Sequence, residues 1–315
     1  MSNEYSIKQL SCIQEVSAID WNTIANTSNP FVSHEYLSGL ERFDCLDNHG
    51  WIPCHIVAYS GDVLVGGIPL YIRSNSYGEF VFDWAWADAY ERAGGSYYPK
   101  LVSAIPFAPV SGPRILAHPD NPHANSIRLL LLKHVIQLIK INNLSSYHCL
   151  FPDDSENIFT ENKLLQRHTV QFHWQNKNYT DFREFASQLT SKKRKQILRE
   201  RKKVFDNGIV VDIFRGDQMN EELWSSYYEF YCSTFYRRWG NPRLTKEFFY
   251  SLSVNLPEQT LVFMASAGSK YIAGAFLMLG NQTLYGRHWG CIEQHPYLHF
   301  ELCYYQAIDY AIAYG

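Results

Sequence analysis

The sequence predicts a two-domain mixed α/β (α+β) protein in which each domain is a mixed central sheet flanked by helices. Three observations predict it. At 315 residues the chain exceeds the usual reach of a single hydrophobic core, so two domains are the natural count. Apolar strand pairs around small-residue turns, "CHIVAYSGDVLVGGIPLYI" and "TLVFMASAGSKYIAGAFLML", recur once in each half. Stretches of helical period alternate with them, most clearly "ANSIRLLLLKHVIQLIKINN".

Taken in order, "SAIDWNTIANTSNPFVSHEYLSGLERF" has helical spacing broken at Asn29-Pro30, where the residue before proline leaves the helical region. The first strand pair turns at Ser60-Gly61-Asp62. From Ser74 to Pro122, glycines, prolines and aromatics predict a loop-rich region. The long amphipathic helix follows, then the short strand "SSYHCLF", a helix in "ENKLLQRH" and a strand in "TVQFHWQN". Capped by Thr180 or Asp181, one helix is expected to run through "TSKKRKQILRERKKVFDNG" and stop at Asn207-Gly208. Strand "IVVDIF", helices "NEELWSSYYEFYCSTFYRRWG" and "TKEFFYSL", the second strand pair, strand "QTLYGRHWG" and a final helix complete the chain.

The two strand pairs superpose in sequence, with Gly61 on Gly268, Val65 on Ile272, Gly66 on Ala273, Gly67 on Gly274 and Leu70 on Leu277. With the same element order around them, the match predicts an internal duplication, with domains at 1–177 and 178–315. The first long helix leads into "SSYHCLF", whereas the second ends near Gly315. The second domain is therefore expected to lack its last strands, as in a shortened chain.

Composition narrows the class. Hydrophobic residues make up 46% and charged residues 19%, as in a core-forming globular protein. Aromatics reach 16%, which suits either a bulky core or pockets for sugars, peptides or bases. Seven cysteines, odd in number and without a Cys-x-x-Cys pair, favour reduced buried thiols. The start "MSNEYSIKQL" lacks signal-peptide organisation, and the run "IRLLLLKHVIQLIKI" is interrupted by Lys133 and His134. A cytoplasmic protein without a membrane span is expected.

Eight of the twelve residues from Lys192 to Lys203 are Lys or Arg, in a chain of net charge −3. Three readings stay open: a solvated helix face, a nucleic-acid surface, or an anion site. A pI near 6.5 does not support the second. For the third, Lys193, Arg194 and Arg199 are the side chains expected to turn inward.

Two further clusters carry candidate chemistry. "FDWAWADAYERAGG" places Asp83, Asp88 and Glu91 among Trp84, Trp86, Tyr90 and Arg92. Carboxylates beside aromatics can titrate high enough to act as general bases, or can rim a site for a cationic or sugar substrate. A surface loop over tucked-in aromatics is the bland alternative. "GRHWG" with "HPYLHFELCYY" offers Arg287, His288, Trp289, Glu301 and Tyr304. His288 and Glu301 are candidates for acid–base work beside an acceptor amine, with Arg287, Trp289 and Tyr304 lining it; a structural role is the alternative. His295 and His299 lie four apart, but Pro296 separates them and no third ligand stands at a familiar spacing, so no metal is expected.

The run Lys192 to Arg199, closing on Lys203 and Gly208-Ile209, resembles the basic helix of Fem-type aminoacyltransferases. "SYGEFVFDWAWADAYERAGGSYYPKLVSAIPFAPVSGPRIL" and "TLYGRHWGCIEQHPYLHFELCYYQAIDYAI" are closer still to a bacterial family of N-acyltransferases labelled FemAB-like or peptidoglycan-biosynthesis-related. The resemblance runs from about Asn29 to the chain end. It implies tandem GNAT-like acyltransferase domains in which an amine attacks a thioester or tRNA ester, with backbone N–H groups stabilising the oxyanion. Positioning and one oxyanion donor, worth roughly 3 kcal/mol, are the physics involved. It also implies that the basic helix lies beside an acceptor cleft.

A CoA-dependent domain ordinarily cradles the pyrophosphate with a Gly-rich loop at a helix N-terminus. The corresponding stretch here, "CIEQHPYLHFE", has no Gly-x-Gly spacing and contains Glu293 and Pro296; "VSGPRILAHPDNPHANS" offers Gly112 and Arg114 but again no such loop. No bound cofactor is expected, and the co-substrate stays open between acyl-CoA and aminoacyl-tRNA. The expectation is an N-acyltransferase acting on an amine-bearing acceptor, a cell-wall precursor being the candidate the resemblance suggests. The alternatives are a binding module for an anionic peptide or nucleic acid, tRNA included, and a CoA-dependent small-amine acetyltransferase.

Overall fold

The computed structural model describes residues 5–153, 157–237 and 240–314. The chain divides into two compact units, Met1–Arg167 with Arg243–Phe248, and His168–Pro242 with Phe249–Gly315.

Unit 1 begins with β1 (Ser6–Leu10), α1 (Ala18–Ala25) and α2 (His34–Arg42). Ser17 and Ser33 cap the two helices, accepting from the amides of Asp20 and Tyr36. Strands β2 (Trp51–Pro53), β3 (His55–Ser60), β4 (Val63–Ile68) and β5 (Tyr71–Arg73) follow, then α3 (Trp84–Arg92), β6 (Lys100–Ser103) and β7 (Leu116–Ala117). Helix α4 (Ala124–Ile141), β8 (Tyr147–Cys149) and the single turn α5 (Ile158–Glu161) complete it. Two four-stranded sheets result, in the orders β1-β3-β4-β7 and β2-β5-β6-β8. Strands β6 and β8 run parallel, with Leu101 opposite Tyr147. Ile56, Ile68, Ile127, Leu131 and Val135 form the centre of the core between sheet and α4.

Unit 2 contains α6 (Phe182–Ser187), α7 (Ser191–Asp206), β9 (Ile209–Arg215), α8 (Glu221–Tyr236) and α9 (Lys246–Asn255), whose first residues, to Phe248, belong to unit 1. Then come β10 (Thr260–Ala267), β11 (Lys270–Leu279), β12 (Leu284–Cys291), α10 (Leu298–Phe300), a π-helical turn (Glu301–Tyr305) and α11 (Gln306–Tyr314). One antiparallel sheet runs β12-β11-β10-β9.

The repeat read from the sequence reappears in backbone detail. Hairpins β3–β4 and β10–β11 turn at Gly61 and Gly268, with φ of 59° and 63°, a region glycine enters without steric cost. Each carries a register shift at the same place, Ala58/Tyr59 in one and Ala265/Ser266 in the other. A helix presses closely on the matched glycines, through Trp21 of α1 at Gly67 and Tyr227 of α8 at Gly274. Next, β7 pairs with β4 where β12 pairs with β11, Ala117 opposite Gly66 and Cys291 opposite Ala273. Six residues, each set with proline fifth, then lead to α4 and to α10.

Three expectations are corrected. Residues 169–176 form no strand: Val170 is 79% and Phe172 97% exposed, and no neighbouring strand offers them a ladder. The single helix expected through the basic stretch is two, because Thr190 breaks it at Gln188-Leu189 and accepts from Lys193 N as a second N-cap. The loop-rich region 74–122 holds α3, β6 and β7. Gly315 lies outside the described residues.

Candidate functional site

Beneath α3, unit 1 encloses four ionisable groups. Lys100 opens β6, is fully buried, and its Nζ donates to Glu79 Oε2 at 2.9 Å, Asp83 Oδ2 at 2.7 Å and Ser76 Oγ at 2.9 Å. Arg73, also fully buried, donates from Nε to Glu79 Oε1 at 3.1 Å and covers the Trp51 ring at 3.8 Å. Two cations thus meet two carboxylates, which satisfies a set of charges that would be prohibitive singly. Tyr97 donates its hydroxyl to Asp83 Oδ2 at 2.7 Å. Burial pushes the Asp83 carboxyl up, but the bonds from Lys100, Tyr97 and Ser76 outweigh it and leave the group below its ordinary range. At Glu79 the balance is reversed: burial prevails over Lys100 and Arg73 and raises it.

Asp83 therefore faces Lys100, at 3% exposure, not solvent. The other residues of its cluster stand outside. Trp84, Trp86 and Tyr90 are 57%, 63% and 46% exposed, Glu91 is exposed, and Asp88 pairs with Arg92 at 2.9 Å across one helical turn. Tyr77 and Phe82 meet Trp84 at ring distances of 6.3 and 5.9 Å. The result is an exposed aromatic face with acidic residues on it, resting on the charged layer.

Unit 2 arranges its candidates differently. Phe276 lies opposite His288 and Leu277 opposite Gly286, so Arg287 is the extra residue of a bulge on β12. His288 stacks on Phe276 and meets Tyr231 and Phe249 edge-on. Trp289 packs on His299, whose ring is also met by exposed Tyr304. Glu301 is fully buried and receives Arg201 Nη2 at 3.0 Å and Gln306 Nε2 at 2.8 Å. On the basic helix, Lys193 and Arg199 are exposed and half-buried Arg194 donates to Ser187 O at 3.3 Å. Arg201 is the cation that turns inward, bonding Asp309 as well and lying 4.2 Å over Phe182. Buried Glu200 beside it accepts from Tyr305 at 2.8 Å and Gln196 at 2.8 Å. Sequence reasoning missed Glu200 and Arg201. Both lie on the stripe of Ile197 and Val204, which marks the face they share but not the partners that draw them inward.

A cavity of about 650 Å³ in unit 1 involves none of these residues. Pro113 and Asp153, each one residue past the isolated parallel bridge between Gly112 and Pro152, are on its lining. The Lys100 layer is at the amino end of β6. Asn26, at the left-handed end of α1, the first turn of α4 and the turn α5 form the other walls. Arg114 holds the loop wall from behind, fully buried, donating to the carbonyls of Val110, Gly112 and Leu150. Arg128, on the wall itself, donates to Ile115 O, Ala117 O and Asn125 Oδ1. Among the described residues no group of three His, Cys, Asp or Glu could hold a metal, and no helix is long and apolar enough to cross a membrane.

No curated protein matches the chain. Similar solved structures include a tandem GNAT protein from the clavulanic acid biosynthesis pathway, 10% identical, covering 98% of this chain and 86% of its own, TM-score 0.42. A ribosomal-protein-alanine N-acetyltransferase from Brucella melitensis biovar Abortus 2308 is 11% identical and covers 55% of this chain and 99% of its own, TM-score 0.33. An aminoglycoside acetyltransferase from an uncultured soil metagenomic sample is 17% identical, over 56% of this chain and 99% of its own, also at 0.33. The profile of the FemAB-like family, described as peptidoglycan biosynthesis/recognition, matches residues 12–315. The chain belongs to that FemAB-like family.

Proposed function

We propose that the protein is an N-acyltransferase of two GNAT-like units that moves an acyl or aminoacyl group from an activated ester or thioester to an amine, on a cell-wall precursor or a fragment of one. Membership of the FemAB-like family over residues 12–315 carries this reading. The helix start after β12 supports a donor other than ordinary acetyl-CoA held in unit 2. Tyr297 precedes it with φ of 69° and Pro296 supplies no N–H, so this start offers a pyrophosphate fewer amides than a phosphate-binding helix would. The test is to incubate purified full-length protein with labelled acyl-CoA or aminoacyl-tRNA and muropeptide precursors. Label transferred to the precursor amine is expected; no transfer from any donor overturns the proposal.

A second reading, recognition without catalysis, is favoured by one observation: Asp83 and Glu301, the best carboxylate candidates, are both buried and ion-paired. Precursor binding without turnover, unchanged by substitution at Asp88 or Glu91, would select it.

A further inference from the structure

We propose that the outward face of α7 docks the protein on an anionic phospholipid surface, its cations meeting the headgroup phosphates while Leu198 and Phe205 enter the interface. The proposal stands apart from the acyltransferase reading and holds whatever reaction the units perform.

The helix keeps its two faces distinct. Ile197, Glu200 and Val204 are buried, and Arg201 is tied inward by Glu301 and Asp309, so the rotation of α7 about its axis is fixed. Lys192, Lys195, Arg199 and Lys202 follow at spacings of three, four and three residues, which places them on one stripe opposite that core side. All four are exposed, as are Lys193 and Lys203. Asp206, which accepts from Lys202 Nζ at 2.7 Å, is the one exposed carboxylate of the helix. Six cations therefore face solvent against a single acid. Screening confines the reach of a charge to about 8 Å at physiological salt, so an approaching surface meets this patch and not the net charge of −3.

A cationic stripe alone would suit any polyanion, and two apolar side chains decide between them. Leu198 and Phe205 lie seven residues apart, hence on one line along the helix, each three residues after a lysine of the stripe, Lys195 or Lys202. They are 40% and 43% exposed, whereas the other apolar residues of α7, Ile197 and Val204, are buried. A phosphate backbone offers Leu198 no partner. The acyl boundary of a bilayer takes up both side chains while the lysines reach the headgroups. Helices that lie on membranes combine leucine or phenylalanine with flanking lysine and arginine in this way. Each cation at an anionic leaflet contributes about a five-fold gain in partitioning.

The test floats full-length protein with vesicles of phosphatidylcholine, with and without about one third phosphatidylglycerol, at about 0.15 M salt. Flotation with the phosphatidylglycerol vesicles alone is expected. Lys195→Gln with Arg199→Gln should weaken partitioning about 25-fold, the loss of two cations. Leu198→Ser with Phe205→Ser should weaken it about ten-fold, because the partly exposed side chains no longer enter the interface. Both double variants are compared below their melting transitions. Phe205→Trp, which leaves the packing of α7 intact, should gain quenching by brominated lipid over the wild type. No flotation, equal flotation with phosphatidylcholine alone, or partitioning indifferent to the cation pair overturns the proposal. So does Phe205→Trp without added quenching. Bulk tRNA that displaces the protein from vesicles at equal phosphate concentration overturns it as well and assigns the face to nucleic acid.

Discussion

Arg201 and Glu301 form a two-contact pair across unit 2, Nη2 and Nε of the guanidinium donating to Glu301 Oε1 at 3.0 and 3.2 Å. Glu301 is the fourth residue after β12's six-residue connection; the fourth residue after the corresponding connection in unit 1 is Ile127, a core side chain. A buried carboxylate thus stands where unit 1 has an aliphatic contact, and α7, just before β9, supplies its partner Arg201. Arg201→Met leaves the carboxylate buried with only Gln306 on it and should cost about 3–5 kcal/mol in urea unfolding. Arg201→Met with Glu301→Ile should recover most of that loss. A double variant no more stable than the single would show that the pair does not act as a unit.

The Lys100 layer makes a parallel case with a different question attached. Lys100→Met strips Asp83 of its cation and leaves Glu79 with Arg73 alone, and should destabilise by a similar few kcal/mol. Asp83→Asn keeps an acceptor for Lys100 and should cost about 1–3 kcal/mol. If Asp83 only supports α3, kcat of acyl transfer in Asp83→Asn will match the wild type below the melting transition. A large fall in kcat at unchanged KM would instead make it a base.

How far this was readable from sequence differs by element. Hairpins and long helices follow from local periodicity and turn glycines, and they were legible to within a few residues. The strand expected at 169–176 had the right alternation, but a ladder needs a partner, which alternation cannot report. Region 74–122 looked like a loop because its glycines and prolines hide α3 and β6, whose formation rests on Lys100, Asp83 and Arg73 meeting over long range. The basic helix was legible as a helix with an apolar stripe. Which cation turns inward was not, since Arg201 is chosen by Glu301, a hundred residues away.

The exposed face of α3 tests cleanly because stability should not move. Trp84→Ala and Trp86→Ala remove half-exposed rings and are expected to leave the melting temperature within about 2 °C. If the face stacks on a glycan or peptide, precursor affinity should fall about ten-fold in a direct titration. Unchanged affinity in the double variant would remove α3 from the binding surface.

His148, on β8 beside the Lys100 layer, gives the fold an acid limit. Burial, with Lys100 nearby, pushes its ring down to about 4. Its folded pKa lies below the unfolded value of about 6.5, so the neutral ring favours folding above pH 6.5. That contribution is lost as pH falls through the window to 4, by at most about 3 kcal/mol. Urea unfolding at pH 7 and pH 4.5 should show His148→Gln losing less stability than wild type over this interval. Equal losses would place the acid sensitivity elsewhere.

A close backbone approach at Gly290 in unit 2 supplies a packing test. A Cβ on Gly290 would lie within van der Waals overlap of the Phe230 carbonyl on α8, whereas one on Gly286, four residues earlier on the same strand, would meet nothing within 4 Å. Backbone cannot rotate away as a side chain can, so Gly290→Ala must push β12 and α8 apart. Thr234 and Arg237 would then lose their bonds to the carbonyls of Trp289 and Cys291, now 2.7 Å each. Gly290→Ala is expected to cost more than about 3 kcal/mol and to shift the His288 ring resonances, because His288, two residues earlier on β12, packs against Tyr231 of α8. Gly286→Ala should be near neutral or slightly stabilising, since alanine restricts the unfolded chain. Equal behaviour of the two variants would mean that β12 and α8 do not pack this closely.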